Sequence, residues 1–176
     1  MRMKNVNYEA ETFESITHGQ LKIYGITEKI KLFLEEDPEA QYSLVIGTDS
    51  HEKSNGAGNK SKSINLVTAI LVHRRGFGGQ YFWKRDELND IHSLREKIYA
   101  ETMSSINFAS VFVPLLKKTL NGKTPNYNLE IHIDVGEHGD TRDMIKEVVG
   151  MVTGNGFVAK TKPDAYAASY VADKHT

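Results

Sequence analysis

The chain has 176 residues, of which 39% are apolar and 26% charged, a balance typical of a single globular domain with a sizeable core. Its formal net charge of -1 excludes a strongly basic nucleic-acid binder, so such a partner must be held by a local patch or through metal ions. The absence of cysteine excludes disulfides and thiolate metal sites. A chain without cysteine is what we expect of a protein in the reducing cytoplasm. With a polar start and no apolar run near the roughly 20 residues of a membrane helix, we expect neither signal peptide nor membrane span.

The first 40 residues are expected to form a polar segment and a helix ahead of the main domain, residues 41–176, within one compact unit. Residues 1–20 are polar and predict irregular chain. Apolar residues at helical spacing between Leu21 and Leu34 predict a helix, and Pro38 ends it.

Three strands are predicted next. The stretch "QYSLVIGTDS" is apolar and β-branched, and "INLVTAILVHRR" and "GQYFWKRDEL" follow it on either side of the tight turn "GFGG". Between the first two, residues 51–63 are small, polar and glycine-containing, which predicts a flexible loop. Three consecutive strands with short connections indicate an antiparallel meander.

The second half of the chain alternates helices with strands. Ser93 and Glu96 form a capping box that predicts the start of a helix over 93–120, which Pro114 is expected to kink or divide. A strand over 129–136, a helix over 141–156, a strand over 157–163 and a helix over 164–174 follow. This order predicts an α/β fold with a mixed five-stranded sheet, three antiparallel strands and then parallel ones, and helices packed on it.

Four carboxylates fall at places where this topology would gather them. Asp49 ends the first strand and Asp134 ends the fourth, and these two strands are expected to be parallel neighbours. Glu101 lies on the long helix, and Asp164 opens the last helix. Because clustered carboxylates repel one another, and Mg²⁺ or Mn²⁺ with oxygen ligands removes that repulsion, the pattern predicts a metal site.

The strand order and the carboxylate positions resemble the ribonuclease-H-like fold. More narrowly, "IGTDS", "IHIDVGEHGDTRDMI" and "KPDAYAASYVADK" look like the YkuK family, a bacterial family of the ribonuclease-H-like group. The resemblance implies a nuclease that uses Mg²⁺ or Mn²⁺ on RNA or DNA, with Asp49, Glu101, Asp134 and Asp164 as metal ligands and catalytic residues. The chain shows no basic insertion of the kind that ribonucleases H use for a hybrid duplex, which argues against that specificity.

Each candidate also has a structural interpretation. Asp49 suits a turn, Asp134 a solvated strand face, and Asp164 the first turn of a helix. Glu101 suits a charged helix surface. Two rival assignments stay open, Glu96 for Glu101 and Asp173 for Asp164. Asp140 is interpreted as a helix N-cap and His132 as a surface histidine. Glu137 and His138 suit either a proton shuttle beside the site or ordinary loop polarity.

Two basic segments suit contact with nucleic acid. Lys53, Lys60 and Lys62 lie in the predicted loop, and the stretch "RRGFGGQYFWKR" combines bases with aromatic rings that can stack on unpaired nucleotides. We favour the simpler interpretations, a solvated loop for the first segment and an ordinary strand pair for the second. Beside the nuclease we therefore keep two other classes: a noncatalytic nucleic-acid-binding module of the same fold, and an enzyme acting on a smaller phosphate substrate.

Overall fold

The computed structural model describes residues 7–52, 62–122, 126–137 and 141–166, together with residues 170 and 174. Within them the strands are β1 (Phe13–Ser15), β2 (Gly19–Leu21), β3 (Tyr42–Glu52), β4 (Lys62–Arg74), β5 (Gly78–Ile91), β6 (Tyr127–His132) and β7 (Val158–Lys160). The helices are α1 (Ile23–Glu35), α2 (Leu94–Leu120) and α3 (Ile145–Gly154), with a 3₁₀ turn at Arg142–Met144 before α3.

The described strands form one mixed sheet in the order β2-β1-β5-β4-β3-β6-β7. The meander β3-β4-β5 is antiparallel, and β6 and β7 add to it in parallel. The predicted parallel pairing of the first and fourth strands is confirmed, since β3 runs beside β6 from Tyr42 opposite Tyr127 to Gly47 opposite His132. This pairing places the carboxyl end of β6 against the middle of β3.

The prediction of five strands is wrong, because the sheet has seven. The two extra strands, β1 and β2, form a hairpin within the segment predicted to be irregular, and β1 pairs with β5 where Glu14 lies opposite Trp83. Phe13 supplies the reason: it is fully buried, with its ring 5.3 Å from that of Phe108 on α2. Three-residue strands are too short to show an alternating pattern in the sequence.

The helices α1, α2 and α3 contribute to one hydrophobic core with the sheet. Side chains of α1 and α2 pack against the face of β3 that carries Leu44 and Ile46, and the core continues to Val148 and Val152 of α3. Burial of such large apolar side chains is the main favourable term in folding. None of the helices in the described part of the chain is long and apolar enough to span a membrane.

Ser93 caps the start of α2 as predicted, although Glu96 bonds the amide of His92 rather than that of Ser93. The Glu96 amide donates to Ser93 Oγ at 3.1 Å, and the Glu96 carboxylate accepts from the His92 amide at 2.7 Å. Pro114 does not divide the helix, which continues to Leu120. Pro114 has no amide hydrogen to donate to the carbonyl of Ser110, one turn earlier. Ser110 is exposed, so water can bond that carbonyl instead.

The end of the chain departs from the prediction at Asp164. It lies in a turn, where its amide and that of Ala165 both donate to the Thr161 carbonyl. Helical structure appears at Tyr170, whose amide donates to the Tyr166 carbonyl. Most of the predicted last helix lies outside the described residues, but Asp164 itself is an exposed turn residue.

Candidate functional site

Asp49 lies inside β3, three residues before the strand ends at Glu52, so the prediction that it ends the strand is wrong. The position is nevertheless open on one side, because the β6 ladder stops at His132, opposite Gly47. The Asp49 side chain is only 9% exposed, and its Oδ1 accepts a hydrogen bond of 2.7 Å from the Ser50 amide. The chain thus keeps a carboxylate buried where one neighbouring strand has just ended.

Asp134 follows the end of β6 by two residues and meets Asp49 there. Burial raises the pKa of Asp49; the Ser50 amide opposes this shift, and the Asp134 carboxylate adds to it. Continuing the parallel register past Gly47 and His132 pairs Asp49 with Asp134, in agreement with this repulsion. The Asp134 carboxylate therefore acts on Asp49 from the adjacent strand.

Glu101 joins this pair from α2. It is 6% exposed, accepts a 2.7 Å hydrogen bond from Ser50 Oγ and lies 3.8 Å from the ammonium group of Lys97. Burial raises its pKa to about 7, with Ser50 and Lys97 opposing the shift and Asp49 and Asp134 adding to it. The competitor Glu96 caps the helix instead.

Buried hydroxyl groups hold α2 against β3 beside this site. Ser105, one turn after Glu101, donates from Oγ to Thr48 Oγ1 at 2.9 Å, and Thr48 in turn bonds Thr68 of β4 at 3.0 Å. Sequence reasoning missed Thr48, Ser50 and Ser105. A signal was present, because Thr48 and Ser50 continue the core-facing alternation of Leu44 and Ile46 with polar side chains.

Lys162 is a second residue that the sequence did not indicate. Its Nζ lies 2.7 Å from Asp134 Oδ1, a buried oxygen that accepts no hydrogen bond from the described residues. The contact is therefore electrostatic, without hydrogen-bond geometry. Together with Lys97, it gives the three carboxylates two nearby positive charges.

His132 is buried, so its interpretation as a surface histidine is wrong. Its Nδ1 accepts from the Tyr166 amide at 3.3 Å, and its Nε2 lies 3.4 Å from the Glu130 carboxylate. Burial lowers the pKa of the ring, and Asp164 is among the charges that oppose this shift. The charge of Asp164 thus acts on His132, whereas the carboxylates that raise the pKa of Glu101 are Asp49 and Asp134, and the carboxylate that raises the pKa of Asp49 is Asp134.

The turn end of the aromatic and basic hairpin lies far from these carboxylates, whereas Arg85 at its other end pairs with Val67, the partner of Asp49. Arg74 pairs with Tyr42, seven residues before Asp49, a distance of about 23 Å along the strand. Its guanidinium lies over the rings of Phe33 and Phe77, so it packs within its own end of the sheet. The following candidates lie outside the described residues: Lys53, Lys60, His138, Asp140 and Asp173.

The carboxylate side chains are suitable ligands for a divalent cation, although they are not already arranged around one position. Among the described residues no three His, Cys, Asp or Glu side chains are grouped so as to hold a metal ion. The donor set is nevertheless suitable, because Mg²⁺ and Mn²⁺ prefer carboxylate oxygens. A cation would offset the repulsion that raises the pKa values of the buried carboxylates Asp49 and Glu101. It would also give the buried Asp134 Oδ1 a partner in place of the hydrogen bond that the described residues do not supply.

Comparisons with known proteins agree with this architecture. The family model described as "Ribonuclease H-like" matches residues 25–176. The chain is 33% identical over 172 residues to the "Uncharacterized protein YkuK" of Bacillus subtilis (strain 168), covering 93% of this chain and 96% of that protein. No solved structure gave a significant match. The chain therefore belongs to the ribonuclease H-like family, as a relative of YkuK.

Proposed function

We propose that the protein is a divalent-metal-dependent nuclease that hydrolyses phosphodiester bonds of RNA or DNA. The observation that carries the proposal is that two buried carboxylates, Asp49 of β3 and Glu101 of α2, are both repelled by the partly buried carboxylate of Asp134 after β6. Buried like charges cost stability, and a fold keeps them where a ligand compensates that cost. Membership of the ribonuclease H-like family supports a role with nucleic acid.

In this proposal Asp49 and Asp134 hold Mg²⁺ or Mn²⁺, and Glu101 completes the shell. Such a cation supplies positive charge that stabilises the attacking and leaving oxygens of a phosphodiester. Ser50 fixes the Glu101 carboxylate through its 2.7 Å hydrogen bond. With a pKa of about 7, Glu101 is suited to take up a proton at its carboxylate near neutral pH. Asp164, whose charge acts on His132, is the fourth acid of the proposed set.

The proposed substrate is held locally rather than by a broad basic surface. The formal net charge is -1, so nonspecific attraction to phosphates is weak. Lys97 and Lys162 are the cations beside the carboxylates, and both are placed to meet a phosphate brought there. We propose action in the cytoplasm, which the cysteine-free composition favours.

One observation favours a second candidate, the noncatalytic nucleic-acid-binding module. The described residues contain no group of three ligands already arranged for a metal ion. Such a module would bind nucleic acid without metal, and its affinity would fall steeply with salt as counterions are released. The retained repulsion among Asp49, Glu101 and Asp134 argues against it, since a module without a cation gains nothing from that repulsion.

Isothermal titration of Mn²⁺ into the wild type and the Asp49→Asn variant tests the proposal. Binding in the wild type that is lost in the variant supports the metal site, and cleavage assays on RNA, DNA and hybrid substrates then identify the substrate. Full cleavage by Asp49→Asn would contradict the proposed mechanism. Metal-independent, salt-sensitive binding without cleavage would transfer the assignment to the noncatalytic module.

A further inference from the structure

The ion pair between Lys162 and Asp134 has an unusual arrangement. The Lys162 ammonium is 2.7 Å from Asp134 Oδ1, yet this buried oxygen accepts no hydrogen bond from the described residues. The lysine side chain is 53% exposed and that of the aspartate is 25% exposed. The ammonium that contacts this buried oxygen thus belongs to a side chain that is itself half exposed to solvent.

The backbone fixes the position of Lys162. Its amide donates to the Val135 carbonyl at 2.8 Å, and the Ile133 amide donates to the Lys160 carbonyl at 2.9 Å. These two bonds extend the β6-β7 pairing past the last residues of both strands. The lysine is therefore held next to Asp134 by the same parallel ladder that positions Asp134.

Gly136 provides the space that the lysine stem occupies. A Cβ added at Gly136 would lie 3.2 Å from Lys162 Cβ and 3.7 Å from Lys162 Cδ. The first of these distances is tighter than ordinary van der Waals contact, so an alanine there would push the lysine stem by a few tenths of an ångström. Only a glycine at residue 136 leaves the observed path of Lys162 unobstructed.

An ammonium and a divalent cation repel each other and compete for this buried oxygen. A cation bound to Asp134 requires the carboxylate oxygen at about 2.1 Å, and the lysine already lies at 2.7 Å from that oxygen. We propose that Lys162 occupies the cation position at Asp134 in the metal-free protein, so that a divalent cation binds by displacing it. This inference rests on the proposed metal site and concerns its regulation: the lysine raises the cation concentration at which the site fills.

Titration of Mn²⁺ into four proteins tests the inference: the wild type, Lys162→Met, Gly136→Ala and the control Lys118→Met. Lys118 is an exposed lysine about 25 Å from Glu101 along α2. We expect Lys162→Met to bind Mn²⁺ about fivefold more tightly, which corresponds to the upper range for an exposed ion pair. Gly136→Ala, which keeps the charge but moves the stem, should bind about twofold more tightly, and Lys118→Met should match the wild type.

Thermal melts give a second readout that needs no substrate. The rise in melting temperature caused by a fixed Mn²⁺ concentration should be larger in Lys162→Met than in the wild type, because tighter binding stabilises the folded state more. The melts without metal also establish that each variant is folded.

The outcomes separate the two proposals. Equal Mn²⁺ affinity in the wild type and Lys162→Met would overturn the displacement and leave the proposed metal site intact. Tighter binding in Lys162→Met with no change in Gly136→Ala would also overturn it, because the lysine would then act only through its charge at a distance. Absence of binding in all four proteins would overturn the metal site itself. Binding that is detectable only in Lys162→Met would support both.

Discussion

The hydroxyl group of Ser50 donates a 2.7 Å hydrogen bond to Glu101 Oε1, across 51 positions of sequence. This bond joins β3 to α2 at the point where β6 has ended and Asp49 is open on one side. Ser50, which follows Asp49 in β3, thus bonds Glu101 and not Glu96 of the same helix. The relationship makes Ser50 the residue through which the geometry of Glu101 can be tested.

Ser50→Ala should destabilise the protein more at pH 8 than at pH 5. At pH 8 the buried Glu101 carboxylate loses a hydrogen bond to a charged group, which costs about 2 kcal/mol, whereas a neutral carboxyl loses about 1 kcal/mol. Since Ser50 lowers the pKa of Glu101, its removal should also raise that pKa. Urea unfolding at the two pH values measures the difference.

Ser110→Ala is the matched control for this variant. Ser110 lies on the same helix and bonds the Ile106 carbonyl from an exposed position. Its replacement should change stability little and equally at both pH values. A pH-independent cost in Ser50→Ala would contradict the assigned role of the serine.

Glu101→Gln should remove a pH dependence of stability in the metal-free protein. The folded protein holds the Glu101 proton up to a pKa of about 7, above the ordinary glutamate pKa of 4.5. Between these values the folded state binds more protons than the unfolded state, so the free energy of unfolding of the wild type falls as pH rises. The difference corresponds to about 3 kcal/mol, which Glu101→Gln should recover at pH 8 and not at pH 4.

Denaturant unfolding of both proteins from pH 4 to pH 8 measures this effect. Parallel curves would show that Glu101 ionises as an ordinary glutamate. Saturating Mn²⁺ should flatten the wild-type curve, because a bound cation favours the ionised carboxylate.

Asp49→Asn should abolish Mn²⁺ binding and lower the cleavage rate by more than about 100-fold. Loss of a residue that only supports a metal ligand costs up to about 100-fold, and Asp49 is proposed to be a ligand itself. The variant should be at least as stable as the wild type at pH 8, since it removes a buried charge that Asp134 repels. Asp143→Asn, at an exposed acid before α3, is the control and should retain both activities. Loss of activity together with a lower melting temperature would instead indicate a structural role for Asp49.

His132 should titrate below its ordinary value, because burial lowers its pKa. The neutral ring accepts a hydrogen bond from the Tyr166 amide at Nδ1, and protonation of Nδ1 removes that acceptor. Its contribution to stability is therefore complete above the unfolded pKa of 6.5 and is lost as pH falls through the lower folded pKa, opposite in sign to that of Glu101. Proton NMR of the ring measures the pKa, and a value above 6.5 would contradict the burial.

The sequence predicted much of the fold because the long elements carry strong periodic patterns. The meander, the crossover helix with its Ser93 cap and the parallel strand after it were all recognisable. It missed the hairpin of β1 and β2, since a single inward-facing residue, Phe13, holds β1 to the core. Contacts between distant segments, rather than local propensity, determine strands this short.

The candidate site divides in the same way. Asp49, Glu101 and Asp134 could be proposed from the sequence, because two follow apolar strand segments and the third lies on the long helix, although Asp49 proved to lie three residues inside β3. Only the tertiary structure distinguished Glu101 from Glu96, placed Asp164 where its charge acts on His132 and brought Lys162 across Gly136 to Asp134. The sequence by itself determined which residue types end each element. Register and packing decided which of them meet, since burial and mutual repulsion depend on distances that local patterns do not contain.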